Sequence, residues 1–322
     1  MESSSPLTPP SRGHLPLLLL LLIFAGQVWG VGIAPDLPYP QGTPDAAAIA
    51  RLVYFVNHFY GVRNIRFGDR RHPMVLVNQA AGSAPKVMTL ERRLNNDYHD
   101  GVTRARDLAI FRSGKLRGTG ILVQDYVDPG RSLSFSIWLP ALRKVRRYME
   151  PNQADAWGGS DFTYGDIYLR RPDDETHEIL DQTSFPDCLR VLEIPQEQRN
   201  RYTRVLPKAS CEARGRPVYR LRSRPRAHDW WYDQRIVWVD RETFADYRSE
   251  YYKDGKRIKI LDKDWRSMGL PDPRAQYWLY WYAIDLRTGH QGMAFVPEGG
   301  VGWNEKVKPR LWSEATLRKI KR

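Results

Sequence analysis

The fold class predicted by this 322-residue sequence is mainly β: a single strongly curved antiparallel sheet forming an incomplete barrel, with helices as its lid. Three observations carry it. Short segments of two-residue alternation follow one another from Lys86 onward, with turn residues between them. Aromatic residues are plentiful, 11 Trp and 17 Tyr, which suits strands and broad apolar contacts. Helical signals are confined to the beginning, the middle and the end of the chain. Segments there would close the mouth of a bent sheet. Two packed sheets are the alternative arrangement.

Residues 1–30 read as a signal peptide. Arg12 stands before an apolar run over 15–25, too short for a membrane span, and Val28-Trp29-Gly30 marks a cleavage point. Residues 31–42, rich in Pro and Gly, form an extended leader, and 43–322 form a single domain. A helix starts at Thr43, with Thr43 as cap, Pro44 at the first helical position and Asp45 complementing the dipole. Ile49, Leu52, Val53, Val56 and Phe59 give it an apolar stripe, and Gly61 ends it.

Strands are expected over 87–94, 103–111, 120–125 and 133–139, separated by Asn95-Asn96-Asp97, Ser113-Gly114 and Asp128-Pro129-Gly130. Residues 173–204 are polar and charged and read as helical or irregular, a cover for one opening of the sheet. A second strand series covers 218–221, 235–240, 245–252, 257–261, 276–286 and 293–296, with the hairpin turn Lys253-Asp254-Gly255-Lys256 inside it. The tail over 313–322 reads as a short basic helix capped by Ser313.

The formal charge of +13 favours an anionic partner: a membrane surface, an acidic protein or a nucleic acid. Nucleic acid is set aside because an exported chain rarely meets it. Cys188 and Cys211 are the only cysteines; in an oxidising compartment they form one disulfide, with two buried free thiols as the alternative. Enzyme signatures fail in turn. His177-Glu178 lacks a second His, since position 181 is Asp, and Gly118-Thr119-Gly120 lacks the third glycine of a dinucleotide turn. No nucleophile elbow is present. The expectation is therefore a protein that is not an enzyme and needs no cofactor or metal.

The stretch 133–166 organises the chain. Leu133, Phe135, Ile137 and Leu139 fall on one strand face, and Pro140 interrupts the ladder. Cations follow at Arg143, Lys144, Arg146 and Arg147, then a glycine-bearing loop with Asp161 and Asp166 among Phe162 and Tyr164. This order suggests that Arg146 or Arg147 pairs with Asp161 or Asp166 and pins the loop. A pair of catalytic acids, as in glycosidases, is the weaker reading of those aspartates.

Two blocks in this stretch, Trp138-Leu-Pro-Ala-Leu-Arg-Lys-Val-Arg-Arg147 and Gly159-Ser-Asp-Phe-Thr-Tyr-Gly-Asp166, resemble the central signature of the outer membrane lipoprotein-sorting protein family, carriers of the LolA/LolB type. The resemblance extends more loosely over 86–322. It implies an unclosed antiparallel barrel whose hollow holds acyl chains of lipids or lipoproteins, without cofactor or catalysis. It further implies a periplasmic location and a partnership with a transporter of the resistance-nodulation-division type or an outer-membrane acceptor. A monomer is expected. Leu133, Phe135, Ile137 and Leu139 would line the hollow, and Trp278, Tyr280 and Tyr282 would flank its mouth. A non-catalytic envelope adaptor with a solid core is the alternative function.

Overall fold

The computed structural model describes Met1, residues 36–228 and residues 230–320. The expected signal peptide lies outside the described residues apart from Met1. The chain enters through α1 (Ala46–Asn57), then β1 (Asn64–Phe67), β2 (Met74–Gln79), β3 (Lys86–Asn95), β4 (Thr103–Phe111), β5 (Gly120–Tyr126), β6 (Ser134–Leu139) and β7 (Lys144–Tyr148). A loop segment containing α2 (Tyr164–Ile167) leads to β8 (Glu175–Ser184), β9 (Pro217–Pro225), β10 (Gln234–Asp240), β11 (Asp246–Lys253), β12 (Lys256–Ser267), β13 (Gln276–Asp285) and β14 (Gln291–Phe295). The described residues close with β15 (Val301–Trp303) and α3 (Glu314–Leu317).

All strands join one antiparallel sheet, in the order β7-β6-β5-β4-β3-β2-β14-β13-β12-β11-β10-β9-β8. The end strands β7 and β8 do not pair with each other, so the barrel stays open. Two runs of consecutive strands, β2–β7 and β8–β14, meet at one seam, where Val75 stands opposite Phe295. β1 and β2 share one side of β3, separated by a break at Gly68. That residue has φ +80, and a Cβ there would lie 2.3 Å from the Met74 nitrogen, so only glycine fits.

The sheet curls around α1 and the segment 150–170. Tyr164 and Tyr168 pack edge-on against Phe135 of β6, and Trp157 against Phe111 of β4. The same short segment reaches Trp281 of β13 through Phe162. Strands far apart in the sheet therefore touch one segment, which requires a strongly bent sheet. We call this the inner face.

α1 buries Ile49, Leu52, Val53 and Val56, the stripe read from sequence. Its cap is Asp45, not Thr43: the carboxylate accepts from the Ala48 amide at 2.7 Å and also complements the helix dipole. The helix ends at Asn57, before Gly61. Phe59 takes φ +55, a costly conformation for an aromatic residue, and sits buried against Phe67 and Trp265.

Residues 173–204 begin with the ten-residue strand β8, which the expectation of helical or irregular structure did not include, and are irregular or 3-10 after it. Its ladder with β9 is charged: Glu178 pairs with Arg222 and Asp181 with Arg220. Cross-strand ion pairs occupy positions where apolar alternation would have marked a strand. At the other edge the cationic run after Pro140 forms β7, which leaves Lys144, Arg146 and Arg147 exposed.

The outer face carries two covers. The lobe over 185–216, closed by the Cys188–Cys211 disulfide, lies on the half built from β9 to β13. There the Arg190 amide donates to Asp262, and Tyr280 Oη lies 3.2 Å from the Ser210 amide. The C-terminal segment with α3 lies on the other half. It encloses a second core of Leu108, Ile110, Leu122, Trp312 and Leu317.

Candidate functional site

A cleft of about 650 Å³ opens on the inner face between α1, β3 to β5 and the loop leading into β8. Its apolar wall comes from Tyr54, Leu94, Val123, Leu133, Ile167 and Leu169. Alternation in β3 and β5 turns Leu94 and Val123 inward, and the 3.6-residue period of α1 brings Tyr54 to the same space.

Polar groups are interleaved with this wall, since Asp107 stands between Leu94 and Val123 in the ladder. Arg92 and Asp107, both buried, pair at 2.8 Å from adjacent strands. Burial opposes the charge of Arg92, but Asp107 more than offsets this and the pKa rises. Burial lowers the pKa of His58 to about 4, although its ring nitrogens lie 2.9 and 3.2 Å from the Tyr54 and Tyr168 carbonyl oxygens. Burial raises the pKa of Asp125 and of Asp174. Three buried acceptors on the lining, Asn96 Oδ1, Asp107 Oδ1 and Gln153 Oε1, have no hydrogen-bond partner among the described residues. The cleft thus combines apolar surface with unpaired buried acceptors, which suits an amphiphile with a donor-bearing head.

Of the residues expected to line the hollow, Leu133 does so. Phe135 lies behind the wall, buried against Tyr164 and Tyr168. Ile137 and Leu139 are half-buried farther along β6 and do not reach the cleft. Trp278, Tyr280 and Tyr282 do not flank a mouth, because all three are buried. The register shift between Asp264 and Trp265 separates them across the sheet. Trp278 faces inward and stacks on Phe67, with ring centroids 4.3 Å apart. Tyr280 and Tyr282 stand opposite Asp264 and Asp262 on the outer face.

The pairing expected within the signature does not form. Arg147 pairs with Glu314 at 2.6 Å on the outer face, and Arg146 points into solvent. Both belong to an edge strand, whereas the aspartates sit inside the curl. Asp166 is fully buried and accepts from Lys259 Nζ at 2.6 Å, Tyr251 Oη at 2.7 Å and the Thr163 amide at 2.8 Å. Burial opposes the Asp166 charge, but Lys259 more than offsets it and holds the carboxyl well below the usual range. Asp161 contacts His290, and burial raises its pKa. Because Arg147 is 78% exposed, Arg147→Gln is expected to leave the melting temperature unchanged. A clear drop in a thermal scan would contradict that geometry.

Sequence reasoning missed the inward charges. Besides Asp166–Lys259, the inner face holds Lys263 with Asp246 and Asn57, and Glu175 with Arg235 and Tyr232. The alternation in Lys256–Ser267 puts Lys259 and Lys263 on one face with Leu261, a signal that was available.

The architecture and cleft define a curled, unclosed antiparallel sheet of the kind found in lipoprotein-sorting domains. A putative outer membrane lipoprotein-sorting protein domain from Vibrio parahaemolyticus superposes with a TM-score of 0.61 at 16% identity, over 85% of this chain and 98% of that one. A DUF1329 family protein from Desulfovibrio piger gives 0.61 at 15% identity, over 85% and 100% of the two chains. A LolA superfamily protein from Nitrosomonas europaea gives 0.52 at 12% identity, over 85% and 99%. A family profile described only as an uncharacterized protein matches residues 104–207. No curated protein matches the chain. The resemblance read from the signature therefore holds at the level of fold: this chain has the LolA-like fold. Among the described residues no helix is long and apolar enough to cross a membrane.

Proposed function

We propose that this protein is a periplasmic, non-catalytic carrier that holds an acyl chain of a lipid or lipoprotein in the cleft beneath α1. It would move that cargo towards or from the outer membrane, with a transporter of the resistance-nodulation-division type as partner. The observation that carries the reading is the mixed lining of the cleft: Leu94, Val123, Leu133, Ile167 and Leu169 stand beside unpaired buried acceptors. Its volume of about 650 Å³ suits one small amphiphile, and each buried methylene would contribute about 0.8 kcal/mol.

Ala105 is half-buried on the cleft wall, so a larger side chain there fills space without removing a core residue. Ala105→Trp is expected to weaken uptake of a fluorescent fatty acid more than about tenfold while the protein stays folded. Lipid extracted from the purified parent chain and identified by mass spectrometry gives the cargo class. Equal uptake by variant and parent would sink the cleft as the site.

The second reading, a solid envelope adaptor, is favoured by one feature. Beyond the cleft, the interior is filled by Trp157, Phe162, Trp278 and Trp281. A parent chain that neither retains nor takes up lipid would support it.

A further inference from the structure

The outer face has a feature of its own. Its two covers leave the middle of the sheet open, and between them runs a groove of about 2060 Å³. The floor is apolar, from Leu108, Ile110, Leu279, Val296, Val301 and Ile320. The rim is cationic. Arg70, Arg71, Arg117, Arg201 and Lys319 all line the groove, are exposed, and form no ion pair among the described residues. Most of the acids beside them are already engaged, since Asp69 pairs with Arg66 and Glu91 with Arg112. Glu298 is the one lining acid without an ion pair among the described residues. Val205, 62% exposed, stands on the same rim.

Uncompensated positive charge beside an exposed apolar residue and an apolar floor fits an anionic head joined to a hydrocarbon chain. We propose that this groove is a second, separate site that docks the protein on anionic phospholipid. The phosphate would lie on the rim arginines, and one chain would lie along the floor from Val205 to Leu279. The groove lies on the opposite face from the cleft beneath α1, so the proposal does not depend on that cleft holding cargo. A carrier built this way would engage a membrane with one face and hold its load on the other.

The test uses the full exported chain and sedimentation with vesicles of phosphatidylcholine, alone or mixed with phosphatidylglycerol. Binding is expected only to the mixed vesicles and is expected to weaken with salt. The triple variant Arg70→Gln/Arg71→Gln/Arg117→Gln should lower the partition coefficient roughly a hundredfold, at about a fivefold loss per cation. The control triple Arg143→Gln/Lys144→Gln/Arg146→Gln removes the same charge from exposed positions elsewhere and should change it little. Val205→Asp should also weaken vesicle binding, because it opposes chain insertion. All these positions are exposed, and an unchanged melting temperature verifies that each variant is folded. Equal losses from the two triples would overturn the proposal in favour of diffuse electrostatics. Binding of polyglutamate without binding of mixed vesicles would overturn it in favour of an acidic protein partner.

Discussion

Replacing Asp166 with alanine is expected to cost about 3–5 kcal/mol of folding stability, the cost of stranding one member of a buried charge pair. The carboxylate is fully buried and holds together three elements. Lys259 of β12 and Tyr251 of β11 donate to it from the sheet, and the Thr163 amide donates from its own turn. Removing it leaves the Lys259 ammonium, 7% exposed, without its counter-charge. It also frees the segment that fills the curl. The double variant Asp166→Ala/Lys259→Met should lose less than the sum of the single losses, because the second change removes the stranded cation. Urea denaturation of the four proteins measures this. A loss below about 1 kcal/mol for Asp166→Ala would mean that the pair contributes no more than an exposed one.

Acid should unfold the protein through Glu175. Its carboxyl is buried and paired with Arg235 at 2.6 Å, and Tyr232 Oη donates to it at 2.8 Å. Burial works against its charge, but Arg235 more than offsets this, and the pKa falls from 4.5 to about 2. The folded pKa is depressed, so this stability is fully present above pH 4.5 and is lost as pH falls towards 2. A shift of that size corresponds to about 3 kcal/mol. The urea midpoint of the parent should therefore fall steeply between pH 5 and pH 2.5. Glu175→Gln should start lower at pH 6 and show a shallower fall, with Asp166 supplying part of the remaining slope. Identical pH slopes in the two proteins would remove Glu175 from the account.

The fold was legible where alternation was clean. The strand expected over 103–111 is β4 to the residue, and β3, β5 and β6 differ by a residue or so at their ends. These strands are buried over much of both faces, by the 150–170 segment within and the C-terminal segment outside, so apolar runs between turn residues mark them. β8 escaped because its one well-buried side chain is Glu175, and its ladder is held by charged pairs. β7 escaped because it is a short edge strand of exposed cations.

Of the residues expected to line a hollow, only Leu133 lies on the cleft, for a related reason. An expectation built from neighbours in sequence joined Arg147 to Asp166, whereas the curl of the sheet brings Asp166 to Lys259, 93 positions later. The bulge in β12–β13 likewise reverses the face of Tyr280 and Tyr282 relative to Trp278, and strict alternation cannot anticipate a bulge. The inward lysines were readable in principle.

The seam between β2 and β14 governs how the chain can reach this structure. Each half is a run of consecutive hairpins that can zip locally, but Val75 finds Phe295 only across some 220 positions. Closing that contact brings a large loop-entropy barrier and predicts slow folding for a chain of this size. The segment 150–170 touches both halves, so its packing against β4, β6 and β13 together is complete only once the seam closes. During synthesis the N-terminal half must therefore wait with an unpaired strand edge at β2, until the residues of β14 arrive. During that interval the nascent chain is most exposed to aggregation.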